Sequence, residues 1–286
     1  MNAPPRVPVD GFMTVNGLRL HYLDWGNEGA LAVVMLHGLR GYAHTWDPVA
    51  EPLHRFFRIL ALDQRGRGES DWSAPADYRI EQYVSDLESF VDQLELPRFV
   101  LIGHSMGGAN SIVYAARHPD RVVAAVIEDM GPGASATSAG SGRIKAELRN
   151  VPEAFASWGE AEAYWRKQRP TASIDAIQSR MAHTLKEQPG DGVVWKYDLQ
   201  GIRQARLDSD PSRQVDLWPY VERISCPTLV LRGEHSDFLG RATAEDMRRR
   251  NPNIRWAEIA SASHYVHDDN LDAFNEQVRR FLQDAT

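Results

Sequence analysis

The chain contains a single cysteine, Cys226. One thiol cannot build a disulfide framework or a cysteine-based structural zinc site. A basic excess is also lacking: 32 Lys and Arg stand against 39 Asp and Glu, a net charge of −7. That balance argues against nucleic acid as a partner, because polyanion binders carry a surplus of positive charge. No apolar run approaches the ~18 residues of a membrane span. The first residues, MNAPPRVPVDGFM, lack the basic start and the roughly 7–15 apolar residues of a secretory signal. A cytoplasmic protein without a membrane partner is therefore expected. There is no H-E-x-x-H, and the ten His are scattered, so neither a metal nor a cofactor is expected. No internal repeat is present. Residues 131–142, GPGASATSAGSG, are the one low-complexity segment and read as a flexible loop.

What remains is an ordinary globular composition. The 286 residues are 43% hydrophobic and 25% charged, which fits one large domain or two small ones. Residues 12–25 alternate in polarity around Asn16-Gly17, a strong hairpin signal. Continuous apolar runs then follow at 31–38, 58–66, 98–103, 121–130, 226–233 and 254–260. Helical patterns lie between them. At 80–96, Ile80, Tyr83, Val84, Leu87, Phe90, Val91 and Leu94 fall on one face. Other helical stretches run from about 46 to 57, from the third run to about 118, and from about 271 to 282. Apolar strands alternating with helices predict a parallel sheet covered on both faces. Functional groups in such a sheet sit at the carboxyl ends of its strands.

The interval 132–224 breaks this rhythm. It shows helical spacing, no convincing buried strand and a dense aromatic set that includes Trp158, Trp165 and Trp195. It reads as a helical cap inserted into a core formed by 1–131 and 225–286. Trp158, Trp165 and Trp195, with Tyr265 beyond the insertion, are candidate substrate contacts; packing within the cap is their simpler role.

The strongest chemical signal is Gly103-His104-Ser105-Met106-Gly107-Gly108. It follows an apolar strand and opens a helix, the context of a G-x-S-x-G nucleophile elbow. The tight turn lifts the Ser105 hydroxyl clear of the sheet and needs small neighbours. The helix start supplies unpaired N–H groups, so Met106 N–H is a candidate oxyanion donor. The N–H of Leu39, in His37-Gly38-Leu39-Arg40-Gly41, is the second. His37 itself reads as a brace for that turn.

Serine needs a base. His264 and His267 follow all the candidate acids, in the chain order nucleophile, acid, histidine. His264 is favoured, since it comes first after the last strand, in a loop of small residues. The favoured orienting acid is Asp237, which follows the fifth run. Asp129 and Glu128, at the end of the fourth, are the alternatives. The loop 63–70, DQRGRGES, lacks the Lys-Ser or Lys-Thr pair of a phosphate-binding loop and reads as a structural turn at the site floor.

HGLRG, DQRGRGES, GHSMGG, the RGEHSD turn and the late histidine together resemble the α/β-hydrolase family, over about residues 12–130 and 215–284. The resemblance implies an α/β fold with an eight-stranded, mostly parallel sheet, helices on both faces and a helical cap. It puts Ser105, Asp237 and His264 at the triad positions, and Leu39 and Met106 at the oxyanion hole. Dehalogenases and epoxide hydrolases of the family carry Asp at the nucleophile position, unlike Ser105. Its carbon–carbon hydrolases typically read G-N-S-M-G-G with Trp after the late His, where this chain has His104 and Tyr265. Some of its lactone hydrolases take their acid from the fourth core strand, which keeps Asp129 and Glu128 in play. The expected activity is serine-dependent cleavage of a small carboxylic ester or lactone, apolar or aromatic, by a monomer or homodimer. Carbon–carbon hydrolysis of ring-fission products, and ligand binding on a hydrolase scaffold, are the rival readings.

Overall fold

A computed structural model describes residues 7–170, 172–190, 192–207 and 214–286. The chain opens with β1 (Val9–Val15) and β2 (Leu18–Asp24), an antiparallel hairpin. Asn16 and Gly17 form its turn with φ of 50° and 80°, the left-handed pair that a two-residue hairpin demands. Next come β3 (Ala32–Leu36), α1 (Asp47–Leu53), β4 (Arg58–Leu62), α2 (Ile80–Gln93) and β5 (Phe99–His104). They are followed by α3 (Met106–Arg117) and β6 (Val122–Glu128).

Six short elements in the described part of the insertion are helices: α4 (Ala134–Thr137), α5 (Ala139–Asn150), α6 (Trp158–Gln168), α7 (Ile174–Thr184), α8 (Leu199–Leu207) and α9 (Trp218–Val221). The same interval holds β7 (Ala154–Phe155), β8 (Leu185–Gln188) and β9 (Gly192–Trp195). The chain ends with β10 (Thr228–Gly233), α10 (Arg241–Arg250), β11 (Ile254–Ile259), α11 (Val266–Asp269) and α12 (Leu271–Ala285).

The main sheet has eight strands in the order β1-β2-β4-β3-β5-β6-β10-β11. From β4 to β11 every neighbouring pair is parallel, and only β2, antiparallel to both β1 and β4, runs against the rest. All residues of β3 and β5 are buried, because helices cover both faces. One apolar layer sets Val84, Leu87, Phe90 and Ile112 against Val34 and Leu101. The opposite layer sets Val49, Phe274 and Val278 against Met35 and Ile102. These are the fold class and strands expected from the apolar runs. No helix among the described residues is long and apolar enough to cross a membrane.

The insertion differs from its sequence reading in two places. It carries a three-stranded antiparallel sheet, β7-β9-β8, where no strand was expected. The strands are two to four residues long, too short for a period-two pattern to emerge. The glycine- and serine-rich segment 131–142 is ordered as α4 and the start of α5. Gly133 turns the chain at φ 76°, and the Ser138 side chain caps α5 by accepting from Ser141 N–H at 3.0 Å. The insertion's own core, with Phe155, Trp165, Ile177, Trp195 and Ile202, closes over Met106, Tyr78 and Tyr83 of the main body.

Candidate active site

Ser105 lies between β5 and α3 with φ 51° and ψ −113°, a backbone state that side-chain-bearing residues seldom adopt. The flanking residues show why this turn demands glycine. A Cβ on Gly103 would lie 2.4 Å from the Gly107 carbonyl oxygen, and one on Gly107 would lie 2.1 Å from that of Leu36. Met106 is the first residue of α3, so its N–H has no carbonyl partner within the helix. Ser105 N–H donates to Glu128 O at 2.9 Å, which ties the elbow to the end of the neighbouring strand.

The Ser105 hydroxyl meets His264 Nε2 at 3.0 Å, and His264 Nδ1 meets Asp129 Oδ2 at 2.8 Å. With Nδ1–H donating to the carboxylate, Nε2 accepts from the serine hydroxyl, the tautomer a general base requires. The side chain of Asp129 is fully buried. Its Oδ2 also accepts from Ser236 Oγ at 2.6 Å, and its Oδ1 from Gly233 N–H at 3.2 Å. Burial pushes the Asp129 pKa up, while the bonds from His264, Ser236 and Gly233 pull against it.

The structure brings Asp129, and not the favoured Asp237, to His264. Asp237 does not bond His264; its carboxylate accepts from Arg143 Nε at 2.7 Å and Nη2 at 3.0 Å. That guanidinium holds Asp237 below the usual carboxylate range. The reason lies in the turn after β10. Ser236 points inward to Asp129 and accepts from the N–H groups of Phe238 and Leu239, and Asp237, the next residue, faces α5. Glu128, the other alternative, serves a different histidine. His267 Nδ1 lies 2.8 Å from both of its carboxylate oxygens, and His267 Nε2 meets Thr45 Oγ1 at 3.1 Å. Burial alone would raise Glu128 and lower His267. Their mutual attraction reverses both, so the carboxylate sits below and the imidazole above its ordinary value.

Two supporting residues escaped sequence reasoning. His104 bonds the carbonyl of His264 through Nε2 at 2.9 Å. Burial pushes its pKa down to about 3, so it is a neutral donor that pins the histidine loop. Its place as a variable position of the elbow gave no signal. Arg67, from the loop at 63–70, is wholly buried. It donates to Leu39 O at 3.0 Å and Tyr83 Oη at 2.6 Å, and touches Met106 Sδ at 3.6 Å. It thus braces both residues expected at the oxyanion hole. His37 takes its bracing part: Nε2 accepts from Gln64 N–H at 3.0 Å, and Nδ1 donates to Gly38 O at 2.8 Å.

Two chambers open at Ser105 and share Leu39 and Ile144. The larger has a cavity volume of about 180 Å³ and is lined by Met106, Met130, Leu148, Leu217 and Phe238, along with Arg79, Lys145 and Arg206. The smaller, about 60 Å³, is lined by His264, Tyr265, Trp165 and four arginines. Two of the four aromatic candidates are therefore at the site. Trp165 is buried with its ring near Arg180, and Tyr265 lies under Arg169, 3.8 Å from ring centroid to guanidinium. The other two line neither chamber. Trp158 is exposed and donates to Glu187, and Trp195 donates to Pro152 O within the insertion's core. Aromatic residue type cannot tell these environments apart. Among the described residues, no group of three His, Cys, Asp or Glu is placed to hold a metal ion.

A buried Asp-His-Ser chain at the carboxyl ends of β6, β11 and β5, with the nucleophile on a strained elbow, defines a class of fold and machinery. The family model for the alpha/beta hydrolase fold matches residues 32–271, and the chain belongs to that family. It is 31% identical to a 3-hydroxybutyrate-oligomer hydrolase of Cupriavidus necator, over 92% of this chain and 93% of that one. It is 28% identical to an esterase of Mycobacterium tuberculosis, over 91% of this chain and 85% of the other. The crystal structure of an alpha/beta hydrolase from Novosphingobium aromaticivorans superposes with a TM-score of 0.82 at 30% identity, covering 98% of this chain and 99% of its own.

Proposed function

We propose that the protein is a serine hydrolase that cleaves carboxylic esters through an acyl-enzyme, with Ser105, His264 and Asp129 as its catalytic triad. The observation that carries this reading is the unbroken hydrogen-bond chain from Ser105 through His264 to Asp129. The esterase and the 3-hydroxybutyrate-oligomer hydrolase among its relatives support the same bond type.

In this mechanism Ser105 Oγ attacks the ester carbonyl while its proton passes to His264 Nε2. Asp129 stabilises the imidazolium that results. The negative charge on the former carbonyl oxygen is taken up by the N–H groups of Leu39 and Met106, each typically worth ~2.7–4 kcal/mol in the transition state. As the carbon–oxygen bond breaks, the leaving oxygen takes the proton from His264. A water molecule then attacks the acyl-enzyme, giving its proton to His264. The bond from carbon to Ser105 Oγ breaks, and that proton returns to the serine. The insertion at 132–224 acts as a cap, its inner surface closing over Met106 and forming parts of both chambers. Water exclusion by such a cover strengthens the charge interactions beneath it.

The test is turnover of short p-nitrophenyl esters, with a fluorophosphonate as a label for the nucleophile. Wild type should hydrolyse the esters and take the label at Ser105, and Ser105→Ala should do neither. Equal rates in the two proteins would overturn the reading.

A further inference from the structure

The larger chamber carries positive charge that nothing on its described walls cancels. Arg79 stands at the start of α2, Lys145 lies on α5, and Arg206 is in the last turn of α8. No Asp or Glu among the described residues lines this chamber. Among those residues, none of the three cations forms an ion pair or a side-chain hydrogen bond. The smaller chamber is built differently. There Arg40 bonds Glu147, Arg143 bonds Glu147 and Asp237, and Arg169 and Arg180 bond Asp268.

An unpaired cation drawn out of water loses hydration without recovering it. Arg206 registers this loss: burial, and then the charge of Arg67, push its pKa below the usual guanidinium value, with Tyr83 opposing. A guanidinium offers five N–H donors and no acceptor. Donors left open in a chamber that reaches the nucleophile call for an acceptor-rich anion, and Met106, Met130, Leu148, Leu217 and Phe238 on the same walls suit an apolar segment between that anion and Ser105.

The position of His264 decides which half of the ester this is. His264 lines the smaller chamber and not the larger one. Its proton goes to the leaving oxygen, so the alcohol departs on that side, and the acyl group extends the other way.

We propose that the substrate is an ester whose acyl chain ends in a carboxylate, a monoester of a dicarboxylic acid, with Lys145 and Arg206 binding the distal carboxylate. Arg79, which is exposed, draws the anion toward the chamber. This assignment rests on the acyl-enzyme reading above. Hydrolysis breaks the acyl carbon–oxygen bond, and water supplies the oxygen and protons of the products, a free dicarboxylic acid and an alcohol.

The test compares the p-nitrophenyl monoester of adipic acid with p-nitrophenyl hexanoate, which share a leaving group and a chain length. The wild-type chain should favour the charged ester by about tenfold or more in kcat/KM. That preference should shrink as ionic strength rises from about 0.02 M to about 0.5 M. It should disappear in the double variant Lys145→Gln/Arg206→Gln. Free adipate should bind Ser105→Ala, by calorimetry, and bind the triple variant Ser105→Ala/Lys145→Gln/Arg206→Gln at least about tenfold more weakly. Ser105-dependent hydrolysis with no preference for the charged ester would overturn this assignment and leave the esterase reading standing. Adipate binding without turnover of either ester would overturn the esterase reading and leave the anion site. Equal adipate binding by Ser105→Ala and the triple variant would remove Lys145 and Arg206 from the proposal.

Discussion

Asp129 and His264, 135 positions apart in the chain, meet at 2.8 Å in a fully buried contact. The pairing joins the end of β6 to the loop after β11, across the strand β10 that lies between them. Asp129→Asn should therefore lower kcat by about 10³–10⁴-fold, because an amide cannot stabilise the imidazolium or hold its tautomer. Asp237→Asn should change kcat only a few-fold. Steady-state kinetics on one p-nitrophenyl ester compares the two, and a larger loss in Asp237→Asn would reassign the acid.

The elbow stores backbone strain at Ser105. Ser105→Gly and Ser105→Ala both lose the hydroxyl, but only glycine relaxes at φ 51° and ψ −113°. The glycine variant should be the more stable of the two by about 1 kcal/mol. Urea unfolding of both proteins measures the difference, and an alanine variant as stable as the glycine variant would show the turn to be unstrained.

The Glu128–His267 pair makes stability depend on pH in a defined direction. Glu128 is held below its ordinary 4.5, so its contribution is present above that pH and is lost as pH falls through the depressed value. His267 is held above its ordinary 6.5, so its contribution is complete below that pH and is lost as pH rises through the elevated value. Both operate between pH 4.5 and 6.5. Glu128→Gln should cost more stability at about pH 5.5 than at about pH 9. Denaturant titrations of both proteins at the two pH values read this out, and a pH-independent cost would refute the assignment of charge.

The aromatic residues of the cap divide into packed and exposed. Trp165→Ala removes a side chain from the core that covers Met106 and should cost about 3–5 kcal/mol. Trp158→Ala, at the exposed outer surface, should cost under ~1 kcal/mol and leave KM as it is. Thermal unfolding and ester kinetics on both variants check the pair.

The main sheet was legible in the sequence because parallel strands buried on both faces leave continuous apolar runs. The elbow was legible because steric crowding at Gly103 and Gly107 permits few residues. The hairpin was legible through the left-handed geometry that Asn16 and Gly17 accept. The identity of the acid was not. Asp129 and Asp237 both follow core strands, and the choice turns on Ser236 facing inward, a one-residue matter of turn geometry. The three short strands of the cap were hidden for want of length. His104 and Arg67 were hidden because a bracing role has no spacing of its own.

Among the described residues, every hydrogen bond to the trio itself comes from outside 132–224: Ser105, Asp129 and His264 bond one another, with Gly233, Ser236 and His104 behind them. The chain leaves Asp129 and enters the inserted stretch within three residues, yet the carboxylate is gripped by Gly233, Ser236 and His264, on the neighbouring strand β10 and the loops after β10 and β11. On the proposed function, replacement or remodelling of that stretch would retune which molecules are admitted while bond-breaking power is inherited intact. Selectivity and reactivity would then be modular, each free to evolve without dismantling the other.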